Sequence, residues 1–208
     1  MAVATLESST RIQSNLWEPD KSLEYIDPMQ LKKLLWPHVT FYDKQREIIY
    51  SVERNDETIV TAGNKLGKDF VTGFIVVCKF LRAVKCGRTC RIVTTSATDD
   101  HLDVLWAEIN NFVSTSALPL VVGKGGPLVV THHRLRLASE AETDDLANLK
   151  SYVSGKVAKN SSNGEGLAGH HADETLAIGD EASALNDVCY RMFQGWAKRK
   201  LVFGNPHD

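Results

Sequence analysis

The sequence predicts an α/β fold with a mostly parallel central sheet, helices on both faces and a small β-hairpin insert. Three observations carry that prediction. Short apolar runs suited to strands alternate with longer stretches whose apolar residues recur at helical spacing, an order that favours parallel strands joined by crossover helices. Residues 118–160 break the alternation with short apolar pieces set between glycines and polar turns, the texture of hairpins or edge strands. The chain has 208 residues, 43% of them hydrophobic and 24% charged, enough for one sizeable domain with a real core.

In chain order, residues 1–25 are polar and weakly periodic and are expected to form a loose arm. A helix opens at Asp27-Pro28, because proline suits a first helical turn; Met29, Leu31, Leu34 and Leu35 share a face until Trp36-Pro37 ends it. Residues 1–38 are grouped as this arm and helix, and 39–208 as the main domain. A second helix is expected from Asp43 to Val52. Ile59-Val60-Thr61 reads as a short buried strand running into a glycine loop. Lys68 to about Val84 reads as a helix, on the spacing of Val71, Phe74, Ile75, Cys78 and Leu81. A strand at Arg91–Thr95 precedes a helix with Leu102, Leu105, Ile109 and Phe112 on one side. Leu128–Val130 and Leu135–Leu137 are the hairpin candidates. Residues 160–171 are a glycine-rich loop. Thr175–Gly179 is a strand ending in Asp180-Glu181, a helix spans about Leu185–Trp196, and Leu201–Phe203 is a last strand ending in Gly204-Asn205-Pro206.

A formal net charge of −2 argues against a domain whose whole surface grips nucleic acid, while leaving room for a local basic patch such as Lys198-Arg199-Lys200, itself read as a solvated face. No signal peptide is evident, and the longest apolar run, around Phe74–Cys78, is core-sized rather than membrane-sized. Cys78, Cys86, Cys90 and Cys189 include no second pair at zinc spacing, and free thiols in a reducing cytosol are expected.

In an open parallel sheet, ligands sit at the carboxyl ends of the strands, and three predicted strands end in residues that carry chemistry. The first is TAGNKLGKDF, residues 61–70. A glycine-rich turn between strand and helix points backbone N–H groups into a hollow at a helix start, and Lys68 reaches outer phosphates. Gly67-Lys68 fit that pattern, but Ala62 stands where its first glycine belongs and Asp69 where its hydroxyl belongs. The second is LAIGDEAS, residues 176–183, where one acid suits Mg²⁺ and the next suits orienting an attacking water. The plain alternative is an acidic turn capping the next helix. The third is LVFGNPHD, residues 201–208, an amide at a strand end beside the acidic pair, or simply a Gly-Asn-Pro turn. Upstream, Gln45 sits near a helix start, where its amide can pair with the N6 and N7 edge of adenine.

Together these segments resemble the ATPase domain of the large terminase subunit of tailed bacteriophages. AGNKLGKD (62–69) is similar to the family's phosphate loop, VTTSAT (93–98) to the start of its next motif, EGLAGHHADETLAIGDEAS (165–183) to its loop and acidic strand, and LVFGNP (201–206) to its coupling motif. The resemblance implies a P-loop NTPase of the ASCE class acting on ATP with Mg²⁺. Gln45 would contact adenine. Gly63, Asn64, Lys65, Leu66, Gly67, Lys68 and Asp69 would form the phosphate loop. Asp180 would organise Mg²⁺, Glu181 would activate water and Asn205 would couple hydrolysis to movement. It also implies copies of the chain in a ring with the portal protein, the small terminase subunit and double-stranded DNA, in the host-cell cytoplasm at the procapsid portal, with no membrane. The resemblance also implies a nuclease domain, which is expected to be absent from this chain. Asp69 departs from the pattern and reads either as a direct Mg²⁺ ligand or as a helix cap; Lys65 stands near where many relatives carry arginine. Arg134, Arg136, Arg191 and Arg199 are candidates for a residue acting on a neighbouring subunit, and His170 and His171 are read as solvated loop histidines. Two other functions remain open: a helicase-like nucleic-acid translocase, or a non-catalytic assembly module whose site Asp69 has spoiled.

Overall fold

The computed structural model of the chain describes residues 17–21, 25–61, 66–140, 145–158, 169–181 and 187–204. Seven strands form one sheet: β1 (Glu57–Thr61), β2 (Cys90–Ser96), β3 (Leu128–Thr131), β4 (Arg134–Leu137), β5 (Tyr152–Val157), β6 (Glu174–Gly179) and β7 (Arg199–Gly204). Among the described residues five α-helices accompany them: α1 (Pro28–Leu35), α2 (Asp43–Arg54), α3 (Lys68–Lys85), α4 (Asp99–Ser114) and α5 (Asp187–Trp196). The strand order is β1-β7-β6-β2-β5-β4-β3. The pairings β1–β7, β7–β6, β6–β2 and β2–β5 are parallel, and β5–β4 and β4–β3 are antiparallel.

Side chains alternate across the sheet, so neighbouring residues of one strand pack into different layers. Ile92, Leu176, Ile178, Leu201 and Phe203 join the large core with Leu31, Leu35, Ile49, Phe74, Leu81 and Ile109 from α1 to α4. Their sequence neighbours Val93 and Ala177 point into a smaller core with Cys189, Phe193 and Trp196 of α5. Helices therefore cover both faces, with α5 alone on the second face among the described residues. α3 is apolar nearly all round, with every residue from Val71 to Val84 buried, because it lies between the sheet and α4. All four cysteines are free and buried, and burial pushes the Cys78 and Cys90 thiols up to about 12.

Three expectations need correction. β1 is not a buried strand: it is the sheet's edge, and Ile59 is 65% exposed. A three-residue apolar run carries no information about which side of a sheet it will occupy. Residues 118–160 hold more than hairpins, because Tyr152–Val157 is a central parallel strand and the β3–β4 hairpin extends the same sheet beyond it. The described part of the N-terminal arm is not loose. Trp17 and Tyr25 pack on the core, the Asp20 amide donates to the Lys85 carbonyl at 2.8 Å, and Lys85 Nζ donates to the Glu18 carbonyl at 2.7 Å.

At the amino end of β6, Lys79 of α3 is almost fully buried and pairs with Glu174 at 3.2 Å, while Arg88 approaches the other carboxylate oxygen at 3.3 Å. Burial would raise the Glu174 carboxyl, but Lys79, with Arg88, outweighs it and holds the group below its ordinary range. A depressed carboxyl stabilises the fold above its unfolded value, and that stability is lost as pH falls through the folded value. Glu174→Ala would strand the Lys79 ammonium in the core and is expected to cost about 3 kcal/mol or more. Urea titrations at neutral pH and at pH 3 measure it; the gap between wild type and variant should narrow in acid.

Candidate active site

The carboxyl ends of β1, β7, β6 and β2 all face one side of the sheet, because these strands are mutually parallel. The loop after β1 leads into α3, whose N-cap is Gly67 with φ +66°. That left-handed conformation suits glycine, and a Cβ here would also come within 3.1 Å of Gln45 Nε2. Gln45 is 4% exposed, and its amide donates to the Leu66 carbonyl at 3.1 Å; the Tyr42 hydroxyl donates to the same carbonyl. α2 thereby holds the last described turn of the glycine loop from outside.

Lys68 is the first residue of α3, and its ammonium lies 2.9 Å from Asp180 Oδ1 and 3.9 Å from Glu181 Oε1. The loop and the acidic strand end thus meet across the intervening β7. Asp180 is 4% exposed, and its backbone N–H donates to the Thr95 carbonyl at 2.8 Å, which ties the acidic turn to β2. Burial opposes the Lys68 charge, but the Asp180, Asp69 and Glu181 carboxylates outweigh it and hold the ammonium above its ordinary value.

Asp69 occupies the first turn of α3. The N-cap position itself is Gly67, which has no side-chain acceptor, and the Asp69 carboxylate accepts from its own backbone N–H. Burial, and then the nearby Asp180 carboxylate, push the Asp69 carboxyl up, with Lys68 opposing and Glu108 of α4 adding to the rise. Two hydroxyl oxygens at the end of β2, those of Thr95 and Ser96, are buried without a hydrogen-bond partner among the described residues, while Asp180 Oδ1 is paired with Lys68. Crowded carboxylates with unfilled hydroxyl oxygens fit a hard divalent cation such as Mg²⁺.

Glu181 has φ +54°, a left-handed conformation uncommon outside glycine. Its second carboxylate oxygen lies 2.7 Å from Nδ1 of His101, in the first turn of α4. Sequence reasoning missed His101. Only its place three residues after the VTTSAT segment hinted at it, since the two partners are 80 positions apart. On the expectation that Glu181 activates water at a bound nucleotide, His101→Ala should lower kcat about tenfold with little change in KM, because it loosens the carboxylate without touching the phosphates. His101→Gln, which keeps an N–H donor, should recover part of the loss, and steady-state kinetics on the pair measure both.

Gly63, Asn64, Lys65 and Asn205, expected in the phosphate loop and as the coupling amide, lie outside the described residues. His170 departs from expectation. It is 6% exposed, bonded to the Tyr152 hydroxyl and edge-on to Trp196 at 4.9 Å, whereas His171 is exposed. Of the arginine candidates, Arg199 opens β7 and donates to the Asn55 carbonyl at 2.9 Å, at the sheet end opposite the site. Arg136 spends its guanidinium on the Leu137 and Glu140 carbonyls. Arg134 stands at the start of β4, and Arg191 is exposed on α5.

No helix among the described residues is long and apolar enough to cross a membrane. No family model and no curated protein matches the chain. Among solved structures, it is similar to the large terminase ATPase domain of Thermus phage P74-26, with TM-score 0.59 and 17% identity over 89% of this chain and 71% of that one. It is also similar to the bacteriophage HK97 large terminase, with TM-score 0.54 and 14% identity over 83% of this chain and 35% of that one. A third likeness is to the large terminase of a thermophilic bacteriophage, with TM-score 0.50 and 16% identity over 80% of this chain and 39% of that one. The chain therefore spans little more than a third of the length of the latter two proteins. At such identities the likeness is one of fold, and that fold is the one seen in the phage large terminase ATPase domain.

Proposed function

We propose that the chain is an ATPase that drives translocation of double-stranded viral DNA into a procapsid, working as copies in a ring at the portal with the small terminase subunit, in the host-cell cytoplasm. The observation that carries this reading is the convergence of Lys68, Asp180 and Glu181 at the shared carboxyl end of a terminase-like sheet. Lys68 would exchange its Asp180 partner for the β- and γ-phosphates of ATP. Glu181 would accept a proton from the attacking water as that water adds in line to the γ-phosphorus. Asp180 and Asp69 would hold Mg²⁺, which supplies charge neutralisation at the phosphates when bound. Gln45 would read adenine after giving up the Leu66 carbonyl, and Asn205 would couple phosphate release to movement.

The test is Mg²⁺-dependent release of phosphate from ATP by the purified chain. Absence of turnover alongside normal ATP binding would favour the non-catalytic assembly reading. Asp69 adds a sharper expectation. Its charge repels phosphates unless a cation neutralises it, so nucleotide affinity should fall at least about tenfold when Mg²⁺ is removed. Asp69→Ser, which restores a hydroxyl, should flatten that dependence. Titration of a fluorescent ATP analogue with and without Mg²⁺ decides it, and equal affinities for the native chain would overturn the assignment.

A further inference from the structure

A second group of ligating side chains lies away from the nucleotide site. His132 and His133 are the two residues that connect β3, ending at Thr131, to β4, beginning at Arg134. Two-residue hairpin turns ordinarily take asparagine, aspartate or glycine, because their backbone needs positive φ. His133 adopts φ +49°, a conformation that histidine, like asparagine and aspartate, tolerates better than most residues. The Nε2 atom of His133 is 2.6 Å from Asp103 Oδ1 on α4, and that of His132 is 3.3 Å from the same oxygen. All three donor atoms lie within 4.8 Å of one another.

A simple hydrogen bond between His133 and Asp103 would satisfy that carboxylate oxygen. It leaves unexplained why the second imidazole, 79% exposed and at liberty to face water, turns its nitrogen to the same point and stacks on its neighbour with ring centroids 3.8 Å apart. A shared cation explains the convergence. Metal–ligand distances of about 2.0–2.1 Å put tetrahedral donors about 3.3 Å apart, which is the His132–Asp103 separation; the 2.6 Å His133–Asp103 hydrogen bond would have to open by a fraction of an ångström to admit the ion. Two imidazoles with one carboxylate, and water in the remaining position, suit Zn²⁺ better than Mg²⁺ or Ca²⁺.

The footing is rigid. The Gly155 N–H of β5 donates to the His133 carbonyl at 2.8 Å. A Cβ on Gly155 would lie 3.0 Å from His133 Cβ and 2.5 Å from Trp106 Nε1. Trp106 is in turn anchored through Nε1 to the Thr94 hydroxyl at 3.0 Å. We propose that Asp103, His132 and His133 form a Zn²⁺ site that fastens the tip of the β3–β4 hairpin to α4. The proposal does not rest on the nucleotide reading: its three residues pair with one another, whereas Lys68, Asp180 and Glu181 form a separate group that reaches α4 at His101, two residues from Asp103.

Isothermal titration of Zn²⁺ into the tag-free chain tests this, in excess Mg²⁺ so that oxygen-only sites are occupied. One equivalent should bind and raise the Tm. Co²⁺ in its place should give the intense visible bands of a tetrahedral centre. His133→Asn, which tolerates the left-handed backbone, and Asp103→Asn should each weaken binding at least about tenfold, while His38→Ala, an exposed histidine elsewhere, should not. Failure to bind one equivalent, or unchanged binding in both Asn variants with normal circular dichroism, would overturn the proposal. Should His133→Asn fail to fold, Asp103→Asn and His132→Ala decide alone.

Discussion

Glu181→Gln is expected to lower ATP turnover by about 10²–10⁴-fold while leaving Mg²⁺-ATP affinity within a few-fold of the native chain. The glutamine keeps the shape of the side chain at the end of β6 and can still accept a hydrogen bond from His101, but it cannot take a proton from water. Binding should survive, because Lys68 retains its charge and Asp180 its buried seat against β2. Lys68→Ala should behave differently, losing affinity as well as rate, since it leaves Asp180, Asp69 and Glu181 unopposed at the place where phosphates must enter. Single-turnover phosphate release paired with equilibrium binding separates the two variants. Near-native turnover in Glu181→Gln would remove Glu181 from its proposed role.

The largest effect on stability is expected at Trp36. It has no exposed surface and stands edge-on to Phe74 at 5.6 Å and to Phe112 at 5.5 Å. Its indole N–H donates to the Phe112 carbonyl at 2.7 Å. That carbonyl belongs to the last turn of α4, where helix carbonyls lack partners within the helix. Trp36→Ala would remove the ring, open a cavity among three elements and strip a buried carbonyl of its donor. About 3–5 kcal/mol should be lost, a fall in Tm of roughly 10 °C. Trp36→Phe should recover most of the packing but not the hydrogen bond. Thermal melts of the two variants measure each contribution.

Much of the fold was legible because periodicity is local. Val71, Phe74, Ile75, Cys78 and Leu81 announce α3, and the apolar run into Asp180-Glu181 announces β6. β5 was not legible, because YVSGKV carries a glycine and a serine where a central strand usually shows branched apolar residues. Gly155 is there because Trp106 and His133 crowd its position, a reason visible only once distant elements are packed. The edge position of β1 is equally a property of strand order and not of its residues. In the site, Lys68, Asp180 and Glu181 stood out by type and place, whereas His101 and Glu108 enter only through the approach of α4. Burial of His170 escaped notice because its partners, Tyr152 and Trp196, lie in two other segments.

The placement of β7 has a mechanical corollary. Strands in a sheet run about 4.8 Å apart, so the ends of β1 and β6, two intervals apart, are separated by about 10 Å of backbone. The tip of β7 at Gly204 lies between them, and β1, hydrogen-bonded to the sheet along one flank only, is the less braced of the two walls.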